Sequence, residues 1–183
     1  MFHNILVALD RSDMSSQVLE QAINLAKATD ASLILLTVIP PFDPVRAGLD
    51  CPGINGAYFQ VSEKTMQLYL EQWKTLEQEG SDWLRSQATK ATEAGVKSEI
   101  AQTLGDPGCV ICKLAETWKV DLIIVGRRGI SELNELFLGS VSNYVLHHAP
   151  CSVLTVQQPT SPNSKAILEQ NTTQAASNDP MRA

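Results

Sequence analysis

The run Asp121-Leu122-Ile123-Ile124-Val125-Gly126-Arg127-Arg128-Gly129 decides the fold. Four apolar residues in succession, three of them β-branched, read as a strand buried on both faces, the mark of a parallel sheet. Glycine ends the strand at once. Downstream, a helix begins near Gly139-Ser140 and runs to about His148, and Cys151 to Val156 forms another strand. Upstream, Ile5 to Leu9 is a second buried run, closed by Asp10. Met14, Val18, Leu19, Ala22, Ile23, Leu25 and Ala26 follow at helical spacing, with Ser12 placed to cap that helix. Ala31 to Ile39 is the next buried strand, stopped by Pro40-Pro41. Strand, helix and strand make a βαβ unit, whose crossover is expected to be right-handed.

The rest of the chain fits between these pieces. Residues 40–60 hold four of the nine prolines, three glycines and Cys51, and read as a long irregular insertion. From about Val61 the pattern is helical through Trp73, Leu76, Trp83, Leu84 and Ala91. It reads as one long helix or two end to end, with Gly80 the natural break and Gly95 a good terminator. Val96 to Leu104 alternates with polar residues and so belongs near a sheet edge. Asp106-Pro107 opens a helix reaching Trp118. Residues 159–183 are rich in Pro, Ser, Asn, Thr, Gln and Ala, lack aromatic residues and read as a disordered tail. Strand and helix alternate throughout residues 1–158. This predicts a single α/β domain: a doubly wound, five-stranded parallel sheet in the order 3-2-1-4-5. In such sheets ligands bind beyond the carboxyl ends of the strands where the winding reverses, here between strands one and four. Asp10 and Gly126 mark those two ends.

Composition narrows the function. The chain has 183 residues, 44% hydrophobic and 19% charged, with 14 Lys and Arg against 20 Asp and Glu. A net charge of −6 with no basic cluster argues against a grip on nucleic acid. No stretch approaches the ~20 apolar residues of a membrane-spanning helix. The N-terminus lacks the basic region and cleavage site of a secretory signal. Four scattered cysteines in a chain of this size suit a reduced, cytoplasmic setting.

The chemistry concentrates in Gly126-x2-Gly129-x9-Gly139-Ser140-Val141-Ser142. Glycine at a strand end allows a tight turn and close approach of a ligand to the backbone. Gly139, Ser140 and Ser142 open a helix, where unpaired N–H groups and the dipole attract an anion, and the two hydroxyls add donors for phosphate oxygens. The pattern is neither a Walker loop nor the dinucleotide fingerprint: no lysine follows, and the glycines are too widely spaced. Each glycine alone is an ordinary turn or cap residue. Their convergence with two serines at the switch point is what indicates phosphate.

These residues resemble the universal stress protein family, a group of small nucleotide-binding α/β proteins. Three pieces carry the likeness: Ile5-Leu6-Val7-Ala8-Leu9-Asp10-x-Ser12, then Asp121 to Gly129, then Leu138-Gly139-Ser140-Val141-Ser142 on to Ala149-Pro150-Cys151-Ser152-Val153-Leu154. The likeness covers residues 3–157. It implies a Rossmann-like fold of the adenine nucleotide alpha hydrolase type, and binding of ATP or AMP by a homodimeric regulator or sensor of stress. By position, Asp10 would hold the ribose hydroxyls beside Ala8 and Leu9, and the backbone of Val38 would meet the adenine. Val125, Gly126, Arg128 and Gly129 would line the ribose and phosphate path, and Gly139, Ser140, Val141 and Ser142 would hold the phosphates. Mg2+ or Mn2+ accompanying a triphosphate is left open. Glu132 and Glu135 depart from what a polyphosphate wants; turned inward they would favour AMP. The likeness also implies that the last strand pairs antiparallel with its copy across a two-fold axis.

Other readings compete. Cys109-x-x-Cys112 at a helix start after a strand has the context of a thiol redox motif, against the plainer reading of two small residues on one helix face. No second pair has zinc-site spacing. His147 and His148 are adjacent, point apart and suit the helix C-terminus. Trp73 and Trp83 belong to one packing stripe. No hydrolase triad, general base or arginine finger is legible, so any ATP hydrolysis is expected to be slow. A stress protein that works through partners without nucleotide is the third reading, and the intact glycine motif argues against it.

Overall fold

A computed structural model describes residues 1–40, 63–127 and 138–157. Residues 41–60 of the insertion, Arg128, Gly129, Glu132, Glu135 and the tail lie outside the described residues. The elements are β1 (Asn4–Ala8), α1 (Met14–Thr29), β2 (Ser32–Ile39), α2 (Glu63–Glu93), β3 (Ser98–Leu104), α3 (Pro107–Thr117), β4 (Leu122–Gly126), α4 (Ser140–His148) and β5 (Ser152–Val156). The sheet runs β3-β2-β1-β4-β5 with every neighbouring pair parallel, the expected order.

The unbroken apolar runs have a simple cause: side chains alternate between two buried faces. Ile5, Val7, Leu33, Leu35, Leu122 and Ile124 pack with Val18, Leu19 and Ala22 of α1 and Leu84 of α2. Leu6, Leu36, Ile123 and Val125 turn to the opposite face, against Ile111 and Ala115 of α3 and Val145 of α4. The sheet is therefore wound on both sides, and its central strands are almost fully buried.

Helix ends show where local signals won or lost. Asp106 caps α3 by accepting the Cys109 N–H at 3.0 Å, with Pro107 in the first position. Gly95 ends α2 with φ of 82°, as expected. Ser12 does not cap α1: the helix starts at Met14, the residue before it is Asp13, and no side chain caps the end. The Ser12 hydroxyl is drawn to Asp10 instead. The helix α2 passes Gly80 without a break. A Cβ at this glycine would lie 2.9 Å from Oε1 of Gln102 on β3, so Gly80 is a seat for a packed side chain.

Candidate ligand crevice at the switch point

Because all strands are parallel, their carboxyl ends share one edge of the sheet, and Ala8 and Val125 are register partners there. At this edge β1 and β4 part. Asp121, just before β4, donates its N–H to Asn4 O at 3.1 Å and sets the start of the two strands side by side. Arg127 continues the ladder between β4 and β5, donating its N–H to Val156 O at 2.7 Å. Gly126 remains in the ladder opposite Val156, so the turn comes after it. The ladder with β1 ends at Ala8 opposite Val125, while β4 runs on beside β5 to Gly126, so the crevice lies past the end of β1.

The loop after β1 is closed on itself. The Asp10 N–H is accepted by the Ser15 hydroxyl at 3.1 Å, and Ser15 is buried. The Asp10 Oδ1 accepts the Ser12 N–H at 3.1 Å, lies 2.9 Å from the Ser15 Oγ and also accepts the Ser12 hydroxyl. Every hydrogen bond to this carboxylate from described residues falls on Oδ1. Fixing one oxygen orients the other, and Oδ2 is the oxygen left for a ligand. Thr37 donates its hydroxyl to Leu9 O at 3.1 Å and ties this loop to β2.

Val38 contributes backbone. Ser32 N–H goes to His3 O (2.8 Å) and Leu36 O accepts from Leu9 (2.9 Å), so even-numbered residues of β2 address β1. Val38 is the next of these and lies beyond the end of β1. Its N–H and C=O therefore point to the space past Leu9.

The other wall is the start of α4. Gly139 takes the N-cap position with extended backbone and donates its N–H to Arg127 O at 2.8 Å. The buried Ser142 hydroxyl lies within 2.8 Å of the same carbonyl and 2.9 Å of Gly139 O. Ser142 thus faces inward and braces the helix start, while Ser140 is exposed. The N–H groups of Ser140, Val141 and Ser142 have no partner inside the helix, as in the first turn of any α-helix. Arg127 O is the staple that joins the exit of β4 to the entry of α4.

The structure thus brings Ala8, Leu9, Asp10, Val38, Val125, Gly126, Gly139, Ser140, Val141 and Ser142 to one edge of the sheet. Ser15, Thr37 and Arg127 were not among the sequence-predicted residues. Only Ser15 left a trace, as a serine three residues after Ser12 at the entry to an apolar helix.

The cysteine pair lies elsewhere, on the α3/α4 face. Cys109 is exposed and Cys112 is partly buried, both as free thiols. Burial, and then the neighbouring Cys109, push the Cys112 thiol above its ordinary value of 9.0. A raised thiol argues against Cys112 as the first nucleophile of a redox pair. Among the described residues no group of three His, Cys, Asp or Glu could hold a metal ion, and no helix is long and apolar enough to cross a membrane.

Comparison with known proteins decides the lineage. The model of the universal stress protein family matches residues 1–157. The chain belongs to the universal stress protein family. The universal stress protein Sll1388 of Synechocystis is 39% identical over 156 residues, covering 85% of this chain and 98% of the relative. Among solved structures, the protein MJ0577 superposes with a TM-score of 0.70 at 25% identity, covering 88% of this chain and 99% of that one. A family member from Arabidopsis thaliana with AMP bound has the same fold at 20% identity, with a TM-score of 0.58 and coverage of 86% and 93%. A universal stress protein in complex with cAMP does so at 24%, with a TM-score of 0.56 and coverage of 86% and 98%.

Proposed function

We propose that this universal stress protein is a regulator or sensor that binds an adenine nucleotide, AMP or ATP, in the crevice between β1 and β4. The observation that carries the reading is the pairing of two anchored loops at the switch point. One presents a carboxylate held by a single oxygen, and the other an unpaired helix N-terminus. A carboxylate suits the vicinal diol of ribose, and helix N–H groups suit phosphate. Asp10 takes the ribose hydroxyls, and the free backbone groups of Val38 take the adenine edge. Gly126 lets the sugar approach β4, and Gly139 to Ser142 hold the phosphates, joined by Arg128 and Gly129. Family members with AMP or cAMP bound support the ligand class.

The same reading makes the protein a cytoplasmic homodimer. Among the described residues strand β5 is a sheet edge, and Leu154 on it is 39% exposed, a surface suited to antiparallel pairing with a second copy. ATP hydrolysis, where it occurs, is slow, because no general base stands among the described residues of the crevice. A Mg2+ or Mn2+ ion would arrive with the triphosphate, since the described residues offer it no ligand cluster. The test is to purify the protein without added nucleotide, denature it and identify what is released by mass spectrometry. Released AMP or ATP supports the reading. An empty protein that also ignores added AMP and ATP contradicts it.

A further inference from the structure

On the α3/α4 face the two helices meet through Gly108. A Cβ there would lie 2.8 Å from Cγ and Cδ1 of Tyr144, so only glycine admits the ring. This close approach brings the Tyr144 hydroxyl to Cys109, whose thiol donates to it across 3.1 Å. Tyr144 is held from behind: it stacks on His148 with ring centroids 4.0 Å apart and 12° between planes. Cys112, one turn beyond Cys109, packs against the core of the same face, and Cys151 is there too.

Helix geometry places the Cα atoms of residues i and i+3 about 5 Å apart. Disulfides span roughly 4.4–6.8 Å between Cα atoms. Cys109 is the third residue of α3, inside the first turn, where Asp106 supplies the cap and the backbone yields most easily. The hydrogen bond to Tyr144 holds the Cys109 sulfur toward α4.

We propose that Cys109 and Cys112 form a dithiol oxidised by hydroperoxides to an intrahelical disulfide, with Tyr144 as the latch that holds Cys109 in its reduced position. The Cys109 thiolate attacks one peroxide oxygen; an S–O bond forms, the O–O bond breaks and the departing oxygen leaves as water or alcohol after taking a proton. The Cys112 thiolate then attacks the sulfenic sulfur, an S–S bond forms, and the hydroxyl leaves as a second water. Two electrons pass from the two thiols to one peroxide. Cys109 reacts first because it is exposed, and the partly buried Cys112 resolves the intermediate. Burial raises the resolving Cys112 thiol and so slows the second step, which suits sensing sustained oxidant rather than removing it. This site stands apart from the proposed nucleotide crevice and does not rest on it.

The experiment exposes the full, reduced chain to hydrogen peroxide, blocks remaining thiols by alkylation and maps the digest by mass spectrometry. The expected result is a peptide holding Cys109 and Cys112 that is two hydrogens lighter and is restored by dithiothreitol. The Cys112→Ser variant should instead accumulate a dimedone-reactive sulfenic acid at Cys109. The Tyr144→Phe variant, with an unchanged circular dichroism spectrum, should form the disulfide roughly two- to fivefold faster through loss of one weak hydrogen bond. Alkylation of both thiols after peroxide, or a disulfide from Cys112 to Cys151 or Cys51, overturns the assignment. An unchanged or slower rate in Tyr144→Phe overturns the latch.

Discussion

The two loops that wall the crevice are built by opposite means. The loop after β1 is short and is closed by side chains: Ser12 and Ser15 grip Asp10, and Thr37 grips the carbonyl before it. The connection after β4 is long and is closed at its ends by one backbone carbonyl, that of Arg127, which takes the Gly139 N–H and lies beside the Ser142 hydroxyl. The first arrangement fixes the direction of a carboxylate. The second fixes the position of a helix end. A diol needs directed acceptors and a phosphate needs a bundle of donors, so each loop has the construction its half of a nucleotide requires.

This contrast can be broken from either side. The largest expected effect is from Gly139→Val, which puts a branched side chain at the N-cap where phosphate would approach; AMP binding should fall below detection in a calorimetric titration, while the fold persists. Asp10→Ala should come next. It removes a charged acceptor and should weaken AMP and adenosine alike, by about 10- to 100-fold, since both carry the ribose. Ser15→Ala leaves the carboxylate but not its direction. A loss of roughly three- to tenfold in adenosine affinity is expected, with destabilisation of about 1 kcal/mol in urea unfolding because the hydroxyl serves a partly buried backbone N–H. If Ser15→Ala binds adenosine as the wild type does, the side-chain closure of that loop has no functional role.

The smallest effect concerns the opposite face. Burial raises the thiols of both Cys112 and Cys151 above 9.0, with neighbouring Cys109 adding to the first and Asp121 and Cys112 to the second. The folded state thus holds protons that the unfolded chain releases. The stability this gives is complete below about pH 9 and declines as pH rises beyond it. Thermal melts from pH 8 to 10.5 should show a falling midpoint, and the fall should shrink in the Cys112→Ala, Cys151→Ala double variant.

Most of the fold was legible because buried parallel strands write themselves as unbroken apolar runs, and Asp10 and Gly126 lie where those runs stop. The strand order, and so the place of the crevice, follows from the winding alone. What the sequence hid are bonds between side chains and distant or nearby backbone. Ser12 looked like a helix cap, yet a carboxylate two residues earlier is the stronger partner for its hydroxyl. Gly80 looked like a helix break. Its cost inside a helix is about 1 kcal/mol, and the space it leaves takes the Gln102 side chain, whose amide donates to Glu77 O at 2.9 Å. Ser142 looked like a donor to phosphate, and it is turned to Arg127 O because the helix start needs bracing. No periodicity reports such closures.

The central claim is that one crevice reads ribose with the β1 loop and phosphate with the start of α4. The most direct test is to titrate AMP and adenosine against the wild type, Asp10→Ala and Gly139→Val. The account predicts that Asp10→Ala loses affinity for both ligands in equal proportion, and that Gly139→Val loses AMP but keeps adenosine. Equal binding of both ligands by all three proteins would contradict it.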